Sequence, residues 1–178
     1  RFVTLGLWEI RVGRVPLYLL DSNLEPNTDS DKLLTARLYW SDLDRRVMQE
    51  LLLGVGGVRA LRALGYNPSV WHMNEGHAAF LILERARELV AGGEPFEQAL
   101  EKTRGQNVFT THTPVAAGND EFPLWLIEKY LAGFWPQINI TRDQLFEVAR
   151  HHMPQGETFS MGVLALKNAA GRNAVSEL

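Results

Sequence analysis

Two short apolar runs near the middle of the chain stop abruptly in residues that can do chemistry. The first, Ser69-Val70-Trp71-His72-Met73-Asn74-Glu75-Gly76-His77, closes on an amide, a carboxylate and an imidazole. The second follows about thirty residues later: Asn107-Val108-Phe109-Thr110-Thr111-His112-Thr113-Pro114 closes on hydroxyls and a second imidazole. Such a set can bind hydroxyl groups through both donors and acceptors, or hold a proton near neutral pH. A structural use of the same residues is equally open, because Asn74 and Glu75 can cap and charge-match a helix that begins at Gly76. The two uses are compatible. At the second run Pro114 biases Thr113 away from helix and keeps the backbone extended just past the strand. His112 is then either a site residue or a buried imidazole satisfied by its hydroxyl neighbours.

Other motifs point away from chemistry. His72 and His77 sit five apart across a strand-to-loop transition, where the one-face spacing of helical zinc motifs does not apply, so no metal is expected. His151 and His152 point in different directions in any regular element, which suits a solvated or helix-end role. The glycines of Gly54-Val55-Gly56-Gly57 fall inside a helical pattern and follow no strand, so they read as close helix packing or a kink instead of a phosphate cradle. No serine sits in a Gly-x-Ser-x-Gly elbow, and acyl-transfer hydrolysis finds no support.

The elements that must position the two runs follow from periodicity. Residues 2–20 alternate as two strands around Arg11-Val12-Gly13-Arg14, with Pro16 marking the second as an edge. After a polar loop over 21–31, Val47, Leu51, Leu52, Val55, Val58, Leu61 and Leu64 recur at helical spacing from Asp42 to Leu64, and Gly65 and Pro68 end that helix. Then come a strand at 69–73, helices at 76–90 and 95–103, and a strand at 107–111. That order argues for parallel strands joined by a right-handed crossover. Helices at 124–134, 142–150 and 159–169 precede a last strand at 173–178. The fold class is α/β, a Rossmann-like parallel sheet with flanking helices, in which strand ends converge on a crevice able to hold a ligand.

The chain has 178 residues, 46% of them hydrophobic, enough for one domain with a real core and short for two, so residues 1–178 read as a single unit. A formal charge of −3, with acids and bases mixed throughout, gives no basic stripe for nucleic acid or anionic membrane. The absence of cysteine excludes disulfides, thiolate metal sites and cysteine nucleophiles, and fits a cytoplasmic location. No apolar run approaches the roughly 20 residues a bilayer span needs, and the start is strand-like, unlike a signal sequence. Arg1 opens directly into a strand pattern and the chain stops while still reading as one, as a piece of something longer does.

Six blocks, in order, give the chain a resemblance to the α-glucan (glycogen, starch, maltodextrin) phosphorylases, and more closely to their short bacterial and archaeal branch: Arg14 to Asp21, Ala36 to Tyr39, Arg46 to Glu50, Trp71 to Phe80, Phe109 to Pro114, and Phe159 to Leu166 followed by Asn173 to Leu178. The resemblance implies part of the amino-terminal half of a two-domain glycosyltransferase B-type fold. It implies a parent enzyme that reversibly phosphorolyses α-1,4-glucans, with phosphate, to α-D-glucose 1-phosphate. It also implies pyridoxal 5′-phosphate as cofactor, its phosphate serving in proton transfer, and a parent that is a homo-oligomer. By the same resemblance His112 lines the glucosyl subsite, its ring meeting a sugar hydroxyl and its backbone carbonyl facing positive charge developing near the anomeric carbon. Glu75 and His77 take positioning roles beside the glucosyl pocket, Asn74 supports the turn, and Thr113 joins them among substrate contacts. Many relatives outside the short branch have aspartate then threonine where this chain has Glu75-Gly76.

The cofactor-bearing lysine and the basic residues that hold substrate phosphate belong to family segments outside this chain, so cofactor-binding residues are expected to be absent and the piece alone inactive. Two rival readings stand beside this one: a nucleotide-sugar glycosyltransferase of the same fold, and a non-catalytic glucan-binding or assembly module. No effector site is legible.

Overall fold

The computed structural model describes residues 2–112 and 120–175. The chain opens with an antiparallel hairpin of β1 (Gly6–Val12) and β2 (Val15–Asp21), closed by Val12 opposite Val15. Its turn needs a positive φ, which Gly13 supplies at 62°. Asn27 ties the following loop to the hairpin's base by bonding both the N–H and the C=O of Thr4. A short helix α1 (Asp29–Lys32) falls in what the sequence predicts as loop.

The predicted long helix is present in three joined parts: α2 (Leu43–Leu51), a π-helical turn at Leu52–Gly56, and α3 (Gly57–Ala63). Asp42 caps it, its side chain accepting from the N–H of Arg45 at 2.8 Å. The glycine cluster serves packing at Gly54, where a Cβ would lie 2.8 Å from the backbone nitrogen of Leu81.

The central sheet is parallel, in the order β3 (Trp71–Asn74), β4 (Asn107–Thr111), β8 (Gly171–Ala174). A 3₁₀ turn (Gly76–Ala78) and helices α4 (Leu81–Ala91) and α5 (Phe96–Arg104) make the crossover from β3 to β4, as the strand-helix-strand order predicts. Trp71, Met73 and Phe109 turn one face of this sheet into the core, while His72 and Asn74 stand on the other face, exposed. The buried Arg85 of α4 stacks on Trp71 and donates to Asn107, whose amide in turn donates to the carbonyl of Asn168 at 2.8 Å. This chain of contacts anchors the amino ends of the strands. Buried Glu84 pairs with Arg59 and Arg87, locking α3 to α4.

Between β4 and β8 the structure departs from expectation. α6 (Leu124–Leu131) and a 3₁₀ turn (Trp135–Ile138) cover the predicted helix, and α7 (Arg142–Glu147) begins with a capping box between Thr141 and Gln144. The helix predicted to reach residue 150 stops at Glu147, and α8 spans only Met161–Lys167. The residues left over form a second sheet, antiparallel, of β5 (Glu121–Pro123), β7 (Gly156–Ser160) and β6 (Arg150–Met153), in that order. His151 therefore sits on a strand, not at a helix end, and its Nδ1 lies 2.7 Å from Glu121. Phe80 and Phe159 stack with centroids 6.0 Å apart, joining this sheet to α4 through the core. No helix among the described residues is long and apolar enough to cross a membrane.

Candidate functional site

Parallel register brings the two chemically rich runs together at the carboxyl edge of the sheet. Asn74 pairs with Thr110, Thr110 with Asn173, and the N–H of Glu75 continues the ladder by bonding the carbonyl of Thr110 at 2.9 Å. A row of side chains crosses the three strands, His72 Nε2 lying 2.7 Å from the hydroxyl of Thr110 and that hydroxyl donating to Asn173 at 2.6 Å.

His112, just past β4, meets both members of the facing turn. Its ring Nε2 lies 2.5 Å from the amide oxygen of Asn74, and its backbone N–H donates to the carboxylate of Glu75. The second Glu75 oxygen accepts from the hydroxyl of Thr111 at 3.4 Å. His112 itself is exposed, so the buried-imidazole alternative does not apply. Neither Asn74 nor Glu75 caps the turn at Gly76: Glu75 occupies the cap position without a side-chain bond to it. Its backbone is at φ 62°, ψ −178°, a region that costs a residue with a Cβ of order 1–3 kcal/mol. Gly76 is also constrained, since a Cβ there would meet Met161 of α8 at 3.0 Å. Thr113 lies outside the described residues.

His77 belongs to an adjoining cluster. Its Nδ1 is 2.8 Å from Asp120, which receives a bidentate pair from Arg46 at 3.1 and 2.7 Å. Glu50, 1% exposed, lies 3.3 Å from the same guanidinium and beside the Asp120 carboxylate, which further disfavours its charge. Burial pushes the Glu50 carboxyl up to about 10, so it is protonated at neutral pH. Burial also acts against the charge on Asp120, but bonds from His77 and Arg46 outweigh it and hold that carboxyl far below its usual range. Glu50, His77 and Asp120 have the donor atoms of a metal site within 4.8 Å of one another. One guanidinium nitrogen of Arg46 touches all three, at 3.3, 2.7 and 2.7 Å, so the position of a cation is already filled by an arginine. With Nδ1 committed to this cluster, Nε2 is the His77 nitrogen able to meet a ligand.

The sequence reading missed Arg46, Glu50 and Asp120. The i, i+4 spacing of Arg46 and Glu50 on one helix face was a usable signal; nothing local marks Asp120. A cavity of about 880 Å³ is elsewhere, between the hairpin and the helices, where Leu20, Leu51, Leu52 and Val55 line it. Its lining is mostly apolar and includes none of the candidate residues.

No family model matches the chain. It is 42% identical over 178 residues to the maltodextrin phosphorylase of Thermococcus litoralis, covering 100% of this chain and 21% of that protein. It is 50% identical over 131 residues to the glycogen phosphorylase of Mycobacterium tuberculosis, 70% of this chain and 15% of that one. It is 33% identical over 175 residues to the glycogen phosphorylase of Aquifex aeolicus, 98% of this chain and 25% of that one. The chain thus spans a quarter or less of the length of these relatives.

Proposed function

Because the chain belongs to the glycogen and maltodextrin phosphorylases, we propose that it is part of an enzyme that reversibly phosphorolyses α-1,4-glucans to α-D-glucose 1-phosphate. Residues 1–178 supply one wall of the glucosyl subsite, within the amino-terminal domain of a two-domain glycosyltransferase B-type fold. The observation that carries the reading is the similarity along the whole chain, which includes both runs that meet at the sheet edge.

In this reading His112 and His77 each keep one ring nitrogen for substrate, and Glu75 sets the backbone of residue 112. The His112 carbonyl is a fixed dipole, and such a dipole favours positive charge developing at a glycosyl carbon without reorganising during the reaction.

Pyridoxal 5′-phosphate, when bound in this family, supplies a phosphate for proton transfer to the substrate phosphate. None of this chain's lysines stands where it could carry that cofactor at the sheet edge. Lys32, Lys102, Lys129 and Lys167 are the four lysines, and they pair with Glu25, Glu94, Asp44 and the carbonyl of Glu147, all away from the sheet edge.

The test uses the full-length parent with maltodextrin and phosphate. Glucose 1-phosphate is expected to form, and His112→Ala is expected to lower kcat/KM by roughly tenfold or more, the equivalent of one lost polar contact. Turnover that requires a nucleotide sugar and ignores phosphate would replace this reading with the other glycosyltransferase. Residues 1–178 alone are expected to bind maltodextrin weakly and release no glucose 1-phosphate.

A further inference from the structure

Two consecutive residues of one strained turn hold His112 in different ways. The amide oxygen of Asn74, 2.5 Å from Nε2, can only accept, so Nε2 carries the proton. A neutral imidazole has one ring proton, which leaves Nδ1 as an acceptor. The Glu75 carboxylate accepts the N–H of the same residue, and its other oxygen is held by Thr111. Glycine would adopt the φ of 62° at position 75 without strain, yet it could not accept from His112. Beneath this pair, the row from His72 through Thr110 to Asn173 fixes the strand ends sideways.

We propose that Asn74 and Glu75 are positioning residues for His112. Asn74 sets the ring in its Nε2-protonated tautomer, and Glu75 sets the backbone from which the ring and carbonyl project. This rests on the glucosyl-subsite reading given above. A ring presenting Nδ1 as a lone pair recognises a group that donates, such as a sugar hydroxyl, and offers nothing to a phosphate oxygen.

The experiment uses the full-length parent with ¹⁵N-labelled histidine, the His112 ring signals being assigned by their loss in His112→Gln. A protonated Nε2 with an unprotonated Nδ1 is expected, turning into a mixture of tautomers in Asn74→Leu and persisting in Asn74→Asp, which keeps an accepting oxygen. Phosphorolysis should follow the spectrum: kcat/KM falls about tenfold or more in Asn74→Leu, as for one lost polar contact, and largely recovers in Asn74→Asp. A proton on Nδ1 in the unaltered protein, or a spectrum unmoved by Asn74→Leu, overturns the proposal. Full turnover in Asn74→Leu while His112→Ala is impaired overturns it as well. Full turnover in His112→Ala instead sinks the subsite reading, and the spectrum still decides whether Asn74 sets the ring.

Discussion

Glu50 keeps its proton while Asp120 beside it gives its own up, and pH acts on the two in opposite directions. For Glu50 the folded chain holds the proton until about pH 10, whereas an unfolded chain releases it near 4.5. Stability from this residue is therefore complete at acid pH and declines steadily as pH rises between those values. Glu50→Gln removes the decline, so thermal melts between about pH 5 and 9 should show the variant gaining on the parent sequence with every step upward. Parallel curves would mean that Glu50 is ionised. Asp120 has a depressed folded value, so its contribution is present above the ordinary carboxyl range and fades as pH falls through it. Asp120→Asn should cost about 3 kcal/mol at neutral pH, because Arg46 loses a paired partner. Denaturant titrations at two pH values check that cost and its decrease in acid. Single residues were only partly legible in the sequence. His112, Asn74 and Glu75 announced themselves by type at a strand end, but the two meanings of Asn74 and Glu75 separated only when His112, a strand away, was in place. Asp120 stood no chance of being noticed, since its partners Arg46 and His77 lie 74 and 43 residues away in sequence.

At the scale of the element, the glycine run divides into one position that packs and one that does not. A Cβ on Gly54 would press against both the Leu81 nitrogen and the Phe80 Cβ at 2.8 Å, while a Cβ on Gly57 meets nothing within 4 Å. Gly54→Ala is expected to destabilise by about 1–3 kcal/mol through overpacking. Gly57→Ala should be neutral or stabilise by up to about 1 kcal/mol through helix propensity. Urea midpoints of the two variants measure the contrast, and equal midpoints would mean that the helix crossing relaxes freely. Periodicity found this helix because its apolar residues recur at helical spacing, with Val47 and Val58 fully buried among them. It could not find β5, three residues long, or β6, whose Arg150-His151-His152-Met153 carries no apolar alternation. Those strands exist because β7 offers them backbone partners, and a partner's position is a tertiary fact.

For the whole molecule, the hairpin is the part least covered. Trp8 with Leu19, Ile10 with Leu17 and Val12 with Val15 are cross-strand pairs on one face, each residue between 43% and 62% exposed. A contiguous apolar face of this kind binds hydrophobic dyes and promotes self-association. For residues 1–178 alone, Ile10→Lys with Leu17→Glu places opposite charges directly across the ladder. Dye fluorescence and sedimentation-detected association should both fall, with the melting temperature kept. Dye binding that stays the same would locate the accessible apolar surface in the groove between hairpin and helices. The α/β class and the parallel crossover were readable from strand-helix-strand order; the second sheet was not.

The parallel sheet also decides when the site comes into being. His112 and Asn74 are 38 residues apart in sequence, and Thr110 and Asn173 are 63 apart. Parallel pairing gives no local shortcut between them, because the loop must close before any rung is formed. The assembled sheet edge therefore forms only with the long-range rungs, after helices that close locally. Any ligand that needs residues from both strands binds only the finished sheet, and its binding draws the folding equilibrium towards that state as its concentration rises above its Kd.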